Sequence, residues 1–278
     1  MNYIKSNPIR ISLIAFIAIL FFITAGSVHA NHTWGGYHWA RTSNPFTLKL
    51  GDNVNSAWDA YLTAAASDWS SDPAVLYPSS GIAKLLSTNI VAGSTSKNCR
   101  ATSGMVQVCN GSYGNNGWLG IAQIWISGTH ITAGTVKLND TYFNTASYNK
   151  PSWRQMVMCQ EIGHTFGLDH QDEVNTNTNL GTCMDYTNDP ARNDGAGNNL
   201  HPNMHDYVEL AAISAHLDSN TTVSQSAASL RQDKPEIDHN DPNSWGRKVK
   251  DDANAHGSLY VRDLGKGEKV FTFVTWAE

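Results

Sequence analysis

Residues 160–170, which read QEIGHTFGLDH, decide how we interpret this chain. Residues four apart on an α-helix point within about 40° of each other, so Gln160 and His164 share one helix face. Glu161 lies about 100° round the helix from Gln160, where its carboxylate can reach a water molecule held by that pair. The segment therefore predicts two metal ligands and one general base on a single helix.

Gly167 predicts where this helix ends. Glycine adopts a positive φ without steric cost, and it stops many helices for that reason. The chain can turn at Gly167, and His170 can then return toward Gln160 and His164. Three ligands and one base can thus converge from eleven residues.

The segment resembles the metzincin signature His-Glu-x-x-His-x-x-Gly-x-x-His, with Gln160 in place of the first histidine. Met184 stands fourteen residues after His170, in the sequence Cys-Met-Asp-Tyr at 183–186, which resembles the Met-turn of that superfamily. The resemblance is to matrixin-like zinc metalloproteases and covers approximately residues 39–217. It implies an α+β, zincin-like catalytic domain: a mixed twisted sheet backed by helices, with an active-site helix, a Met-turn and a C-terminal helix.

The resemblance also implies a ligand set. His164 and His170 would bind one catalytic Zn²⁺ through imidazole nitrogens, and Gln160 would be the third ligand through its amide oxygen. Glu161 would take a proton from water on the metal and deliver it to the leaving amine.

Two further residues receive roles from the resemblance. Met184 would form the apolar floor of the metal site without coordinating. Tyr186 would be an extra ligand or a donor to the oxyanion of the tetrahedral intermediate. The substrate would be a protein or peptide that pairs in extended form with an exposed edge strand, for which Leu119–Ile126 is the candidate.

Gln160 leaves two interpretations open, because an amide oxygen is a weaker zinc ligand than imidazole. The enzyme is active with Gln160 as ligand, or the site has degenerated and the chain is a secreted binding module on the same scaffold. A third hypothesis is a structural protein whose C-terminal segment anchors it to a partner. The sequence also leaves a structural Ca²⁺ open.

Neighbouring residues were weighed as substitute ligands. Asp169 and Asp172 flank His170 and stay minor alternatives. His201 and His205 share an i, i+4 spacing, but Pro202 favours extended backbone between them, so we expect ordinary surface or capping residues.

Apolar patterning predicts the order strand, helix, several strands, helix, long polar loop and helix. The expected strands are 46–50, 88–92, 105–109, 119–126 and 130–138; the expected helices are 55–69, 151–166 and 203–217; residues 171–199 form the loop. We expect residues 1–30 to be a signal peptide, 31–217 the protease-like domain, 218–243 a linker, and 244–278 a small β-rich appendage.

A cleaved signal peptide implies a secreted chain with no membrane contact after cleavage. The four cysteines then suggest disulfides; three pairings are possible, and proximity favours Cys99 with Cys109 and Cys159 with Cys183. The chain carries 19 Lys and Arg residues against 24 Asp and Glu without a basic cluster, which argues against nucleic acid as a partner. We expect a monomer.

Overall fold

The computed structural model describes residues 32–93, 99–223, 234–251 and 257–277. Within these residues the chain is a mixed α and β structure with one nine-stranded sheet and five α-helices, which confirms the coarse prediction of an α+β fold. The predicted signal peptide lies outside the described residues. No helix in the described ranges is long and apolar enough to cross a bilayer.

The strands follow the apolar patterning closely, and each of the five predicted strands is present. In chain order they are β1 (His38–Trp39), β2 (Phe46–Asn53), β3 (Leu86–Ala92), β4 (Met105–Gly111), β5 (Trp118–Ser127), β6 (His130–Asn139), β7 (Arg247–Asp251), β8 (Gly257–Gly265) and β9 (Glu268–Trp276).

The three predicted helices are also present, and two single-turn helices join them. They are α1 (Asp59–Trp69), α2 (Pro73–Leu76), α3 (Asp140–Phe143), α4 (Pro151–His164) and α5 (Met204–Ile213), followed by a 3-10 helix at Pro242–Trp245. Helix α1 begins four residues later than the patterning suggested, since Asn55 instead accepts a hydrogen bond in the turn that leads into it.

The sheet has a parallel half and an antiparallel half. Its strand order is β3-β2-β4-β6-β5-β9-β8-β7, and β1 pairs with the start of β6. Strands β2, β3, β4 and β6 run parallel, whereas β5 and the three C-terminal strands are antiparallel to their neighbours.

The prediction that β5 is an exposed edge is wrong. Strand β9 pairs with β5 along its whole length, from Trp118 opposite Trp276 to Ser127 opposite Glu268. The C-terminal strands that we expected as an appendage therefore continue the main sheet. Both faces of β5 are covered, which explains its near-continuous apolar sequence.

The predicted linker is only partly described. Residues 224–233 lie outside the described ranges, but the segments on both sides pack against the body. The amide of Asp218 donates to the carbonyl of Arg41 at 2.8 Å, and that of Thr222 donates to Ala40 at 3.0 Å. Ile237 is buried in the core on the second face of the sheet.

Candidate metal centre

Helix α4 carries the site and is buried on all sides from Trp153 to its end. It packs against the sheet on one side and against α1 on another, where the indole of Trp69 donates to the carbonyl of Cys159 at 3.1 Å. A disulfide joins Cys159 to Cys183, and a second joins Cys99 to Cys109. Both predicted pairings are therefore present, and the first fixes the 183–186 segment against α4.

The helix ends as Gly167 predicted. Gly167 has a φ of 103°, and its amide donates to the carbonyl of His164 at 3.1 Å. A Cβ at this position would lie 2.1 Å from the carbonyl oxygen of Tyr37. Only glycine fits here. Any other residue would be strained at the positive φ, and its Cβ would clash with the neighbouring backbone.

The turn brings His164 and His170 together, and we refer to these two residues as the inner histidine pair. Their Nε2 atoms lie 3.0 Å apart. Two nitrogens that share a tetrahedral zinc ion at about 2.0–2.1 Å lie about 3.3 Å apart, so the observed spacing is close to that of a metal site.

Contacts at the two Nδ1 atoms orient the imidazoles of the inner histidine pair so that their Nε2 atoms face each other. Nδ1 of His164 lies 2.9 Å from the carbonyl oxygen of Leu168, which can only accept, so His164 carries its proton on Nδ1. Burial and the adjacent His170 lower the pKa of His164 to about 3, so the ring is neutral and Nε2 presents a lone pair. Nδ1 of His170 faces carboxylate oxygens of Asp169 at 3.5 Å and Glu173 at 3.9 Å. Such outer carboxylates commonly orient metal-binding histidines.

Gln160 is fully buried, and both ends of its amide have partners. Nε2 donates to the carbonyl of Cys183 at 2.9 Å, and Oε1 accepts from Thr275 Oγ1 at 3.0 Å. An amide oxygen has two lone pairs, so the bond from Thr275 leaves one for a metal. The disulfide-linked segment thus fixes the orientation of the Gln160 amide, with Oε1 on the side of Thr275.

Glu161 is fully buried beneath β5 and β9. Its Oε1 lies 2.7 Å from Thr275 Oγ1, and a Cβ on Gly120 would lie 2.4 Å from the same oxygen. Burial raises the pKa of Glu161 to about 8, and hydrogen bonds from Thr275 and the backbone of Ala122 oppose this only partly. Because one hydroxyl proton cannot fully satisfy both Gln160 and Glu161, a protonated Glu161 that donates to Thr275 fits this arrangement best.

Met184 packs against α4 next to His164, and Tyr186 packs on His170. Met184 is fully buried against the last turn of α4, where a Cβ on Gly163 would lie only 2.6 Å from its sulfur. The ring of Tyr186 packs on the ring of His170 with centroids 4.1 Å apart. Met184 is therefore adjacent to the helix residue that precedes His164, and Tyr186 is in contact with the second imidazole.

The structure gives Asp169 and Asp172 roles other than that of direct ligand. Asp169 accepts from Lys250 Nζ at 2.7 Å, and the same ammonium lies 2.5 Å from Glu173 Oε1. Lys250 thus fills the space between two carboxylates that could otherwise hold a cation with His170. Asp172 accepts from the amide of Val174 within its own loop.

His201 and His205 contact residues other than the inner histidine pair. His201 is exposed and pairs with Asp68 at 2.7 Å. The ring of His205 stacks on that of His32, with centroids 4.7 Å apart. His201 is a surface residue as predicted, whereas His205 packs on the buried His32, whose Nδ1 lies 2.8 Å from the carbonyl oxygen of Asp169.

The C-terminal strands contribute three residues that the sequence did not indicate. Phe273 stacks on the imidazole of His164 with centroids 4.4 Å apart and an interplanar angle of 10°. Thr275 bridges Gln160 and Glu161, and Lys250 binds the carboxylates beside His170. The period-2 pattern of residues 270–276 predicted a strand but not its partner, so no local signal placed these residues at the site.

The sequence matches no protein-family model, and no curated protein is significantly similar to it. The residues and their geometry are therefore the whole basis for a functional assignment.

Proposed function

We propose that this chain is a secreted zinc-dependent endopeptidase of the metzincin type, in a state where its own C-terminal strand covers the site. The observation that carries the proposal is the convergence of the two Nε2 atoms of the inner histidine pair at 3.0 Å. The two disulfides support export to an oxidising compartment. The signal peptide expected at residues 1–30 is a part of the same proposal.

The residues present fit a zinc ion. The inner histidine pair supplies two imidazole ligands, and Gln160 supplies a neutral oxygen on the same helix face as His164. Tyr186 lies against His170 and is the candidate for a fourth contact or for stabilising the oxyanion. When bound, a zinc ion would supply Lewis-acid activation of water and of the scissile carbonyl.

Glu161 would be the general base and then the general acid. It lies on α4 three residues before His164 and next to Gln160, so its carboxylate can hold a proton taken from water and pass it to the leaving amine. A base must be ionised, whereas the buried environment raises the pKa of Glu161 to about 8. Exposure to water would restore ionisation, so catalysis requires that β9 move away from Glu161.

Strand β9 occupies the place that we assign to a substrate. It pairs with β5 as an antiparallel strand, and its Phe273 and Thr275 contact His164, Gln160 and Glu161. A peptide that replaced β9 on β5 would run past the metal site in the same way. Displacement of β9 is therefore the step that would admit a protein or peptide substrate.

The second candidate is a binding module without turnover. Gln160 favours it, because an amide oxygen is a weak zinc ligand and both ends of this amide already have hydrogen-bond partners, Cys183 and Thr275. The presence of a buried carboxylate at Glu161 favours the enzyme, since a structural metal site needs no base beside its ligands.

Cleavage of a quenched-fluorescent peptide library by the zinc-loaded chain separates the two candidates. We expect hydrolysis that a chelator abolishes and that Glu161→Ala lowers by about 10²–10⁴-fold. Glu236→Ala, at an exposed carboxylate paired with Arg100, is the matched control and should leave the rate unchanged.

A Phe273→Ala variant addresses the covered state, because it removes the ring that stacks on His164. The variant should cleave faster than the wild-type chain. Absence of hydrolysis by both proteins, or hydrolysis that survives Glu161→Ala, would overturn the endopeptidase proposal.

A further inference from the structure

A second group of histidines lies outside the site described above. His38 on β1 and His130 on β6 are register partners in the sheet, and His216 and Asp218 follow helix α5. We refer to these four residues as the outer cluster. They come from three separate parts of the chain, and none of them belongs to the proposed catalytic site.

The Asp218 carboxylate lies at the centre of the outer cluster. Its Oδ1 is 3.1 Å from Nε2 of His130 and 3.4 Å from Nε2 of His216. Its Oδ2 is 3.6 Å from Nε2 of His38. Donor atoms of His38, His216 and Asp218 all lie within 4.8 Å of one another, a spacing that one small cation can bridge.

His38 provides the independent evidence that a cation belongs there. Its side chain is 4% exposed, and Nδ1 lies 3.0 Å from the carbonyl oxygen of Gly36, which fixes the proton on Nδ1. Nε2 is buried, has no partner within 3.5 Å, and lies 3.6 Å from Oδ2 of Asp218. A neutral His38 with its proton on Nδ1 would turn a buried lone pair toward this anion, which is unfavourable unless a cation lies between them.

The backbone holds Asp218 in place for this role. The amide of Arg41 donates to Oδ2 at 3.0 Å, and the amide of Asp218 donates back to the carbonyl of Arg41 at 2.8 Å. The amide of Ala40 donates to the hydroxyl of Thr222 at 3.0 Å. Asp218 is therefore positioned before any ligand arrives.

Arg41 neutralises part of the negative charge of the Asp218 carboxylate, but its guanidinium does not lie among the imidazoles. Its Nη1 is 3.9 Å from Oδ2, while Nε donates to Asn44 and Nη2 donates to the carbonyl of Ser214. Oδ1 faces His130 and His216. The side chain of His216 is 64% exposed, so an ion can enter from solvent.

We propose that the outer cluster is a structural zinc site formed by His38, His130, His216 and Asp218. Three imidazoles and one carboxylate are a ligand set that suits tetrahedral zinc. A bound ion would fasten the segment after α5 to the start of β6. This site goes beyond the proposed peptidase function and does not depend on it.

Zinc content after equilibration and desalting of the purified chain tests the proposal. We expect about two equivalents for the wild-type chain and about one for His216→Ala. His201→Ala removes a different exposed histidine that pairs with a carboxylate, and it should retain the wild-type content. Asp218→Asn keeps an acceptor for the Arg41 amide, and it should also lose one equivalent.

The measured zinc contents distinguish this proposal from the proposal of a catalytic zinc site. A wild-type chain with about one equivalent that His216→Ala removes supports the outer cluster while the inner histidine pair fails to bind. Equal zinc content in wild type and His216→Ala overturns the outer cluster. Zinc should also raise the unfolding temperature of the wild-type chain more than that of His216→Ala, and an equal rise in both proteins would again overturn it.

Discussion

The inner histidine pair and the outer cluster differ in how the fold assembles them and in how far solvent reaches them. The inner histidine pair is formed within seven residues, where the chain turns at Gly167 after the helix, and β9 then covers it. The outer cluster needs the register of β1 with β6 and the return of the chain after α5. The outer cluster stays open to solvent, because the side chain of His216 is exposed.

Because of this difference, the histidines of the two sites suit different uses. A buried pair beside a carboxylate and under β9 suits the regulated chemistry that we propose, since water and substrate would reach it only after β9 moved. An open cluster that ties three segments together suits a structural ion. The predictions below change one of the two sites and leave the other as an internal control.

The largest effect is expected from Gly167→Ala. The new Cβ would lie 2.1 Å from the backbone oxygen of Tyr37 at a φ of 103°, so the turn that forms the inner histidine pair must shift. We expect a loss of about 3 kcal/mol or more in unfolding free energy, measured by urea denaturation.

The matched control for that change is Gly114→Ala, which has a φ of 96° and nothing within 4 Å of the new Cβ. It should cost only about 1–2 kcal/mol, the strain of the backbone conformation alone. Equal losses in the two variants would show that the contact with Tyr37 does not constrain the turn.

The second prediction concerns the pH dependence of stability in the metal-free chain. The folded pKa of Glu161, about 8, is above its ordinary value of 4.5, so the folded state binds more protons than the unfolded state between these values. The stabilising contribution is fully present below pH 4.5 and is lost as the pH rises through 8. Each pKa unit corresponds to about 1.4 kcal/mol, so the decline should reach a few kcal/mol.

Glu161→Gln removes the titration while keeping a neutral side chain of the same shape. Urea denaturation at several pH values should show a smaller decline in this variant than in the wild-type chain. Identical pH profiles for the two proteins would mean that Glu161 is ionised under β9.

A smaller effect is expected at Gln160. Gln160→His should tighten zinc binding at the inner histidine pair by about tenfold or more, or about 1.4 kcal/mol, because imidazole is the stronger ligand. Gln160→Ala should weaken it. Titration in a His216→Ala background isolates the inner site, and unchanged affinity in both variants would remove Gln160 from the ligand set.

The smallest effect is expected from Lys250→Met. It removes the ammonium that lies 2.7 Å from Asp169 and 2.5 Å from Glu173 beside the inner histidine pair. The side chain is 40% exposed, so the loss should be about 1 kcal/mol or less. Lys49→Met, at an exposed position on β2, should cost less, and a larger loss there would contradict the assigned role of Lys250.

The sequence predicted the elements of the inner site well because they are local. Helical periodicity placed Gln160, Glu161 and His164 on one segment, and Gly167 marked its end; both disulfides followed from spacing in an exported chain. These features depend on steric preferences over a few residues, which patterning reports directly.

Long-range pairing could not be predicted in the same way. Alternation over residues 270–276 is satisfied by any partner strand, so it did not indicate that β9 would cover β5 and contact α4. The outer cluster was hidden for the same reason, since the proximity of His38 and His130 follows only from the register of β1 with β6.

Diffraction from zinc-soaked crystals, recorded on both sides of the zinc absorption edge, tests the central claim most directly. The account predicts an anomalous peak in contact with Nε2 of both His164 and His170, beside Gln160 and Glu161. Nε2 atoms of His164 and His170 that stay 3.0 Å apart, with no anomalous peak beside them at saturating zinc, would contradict it.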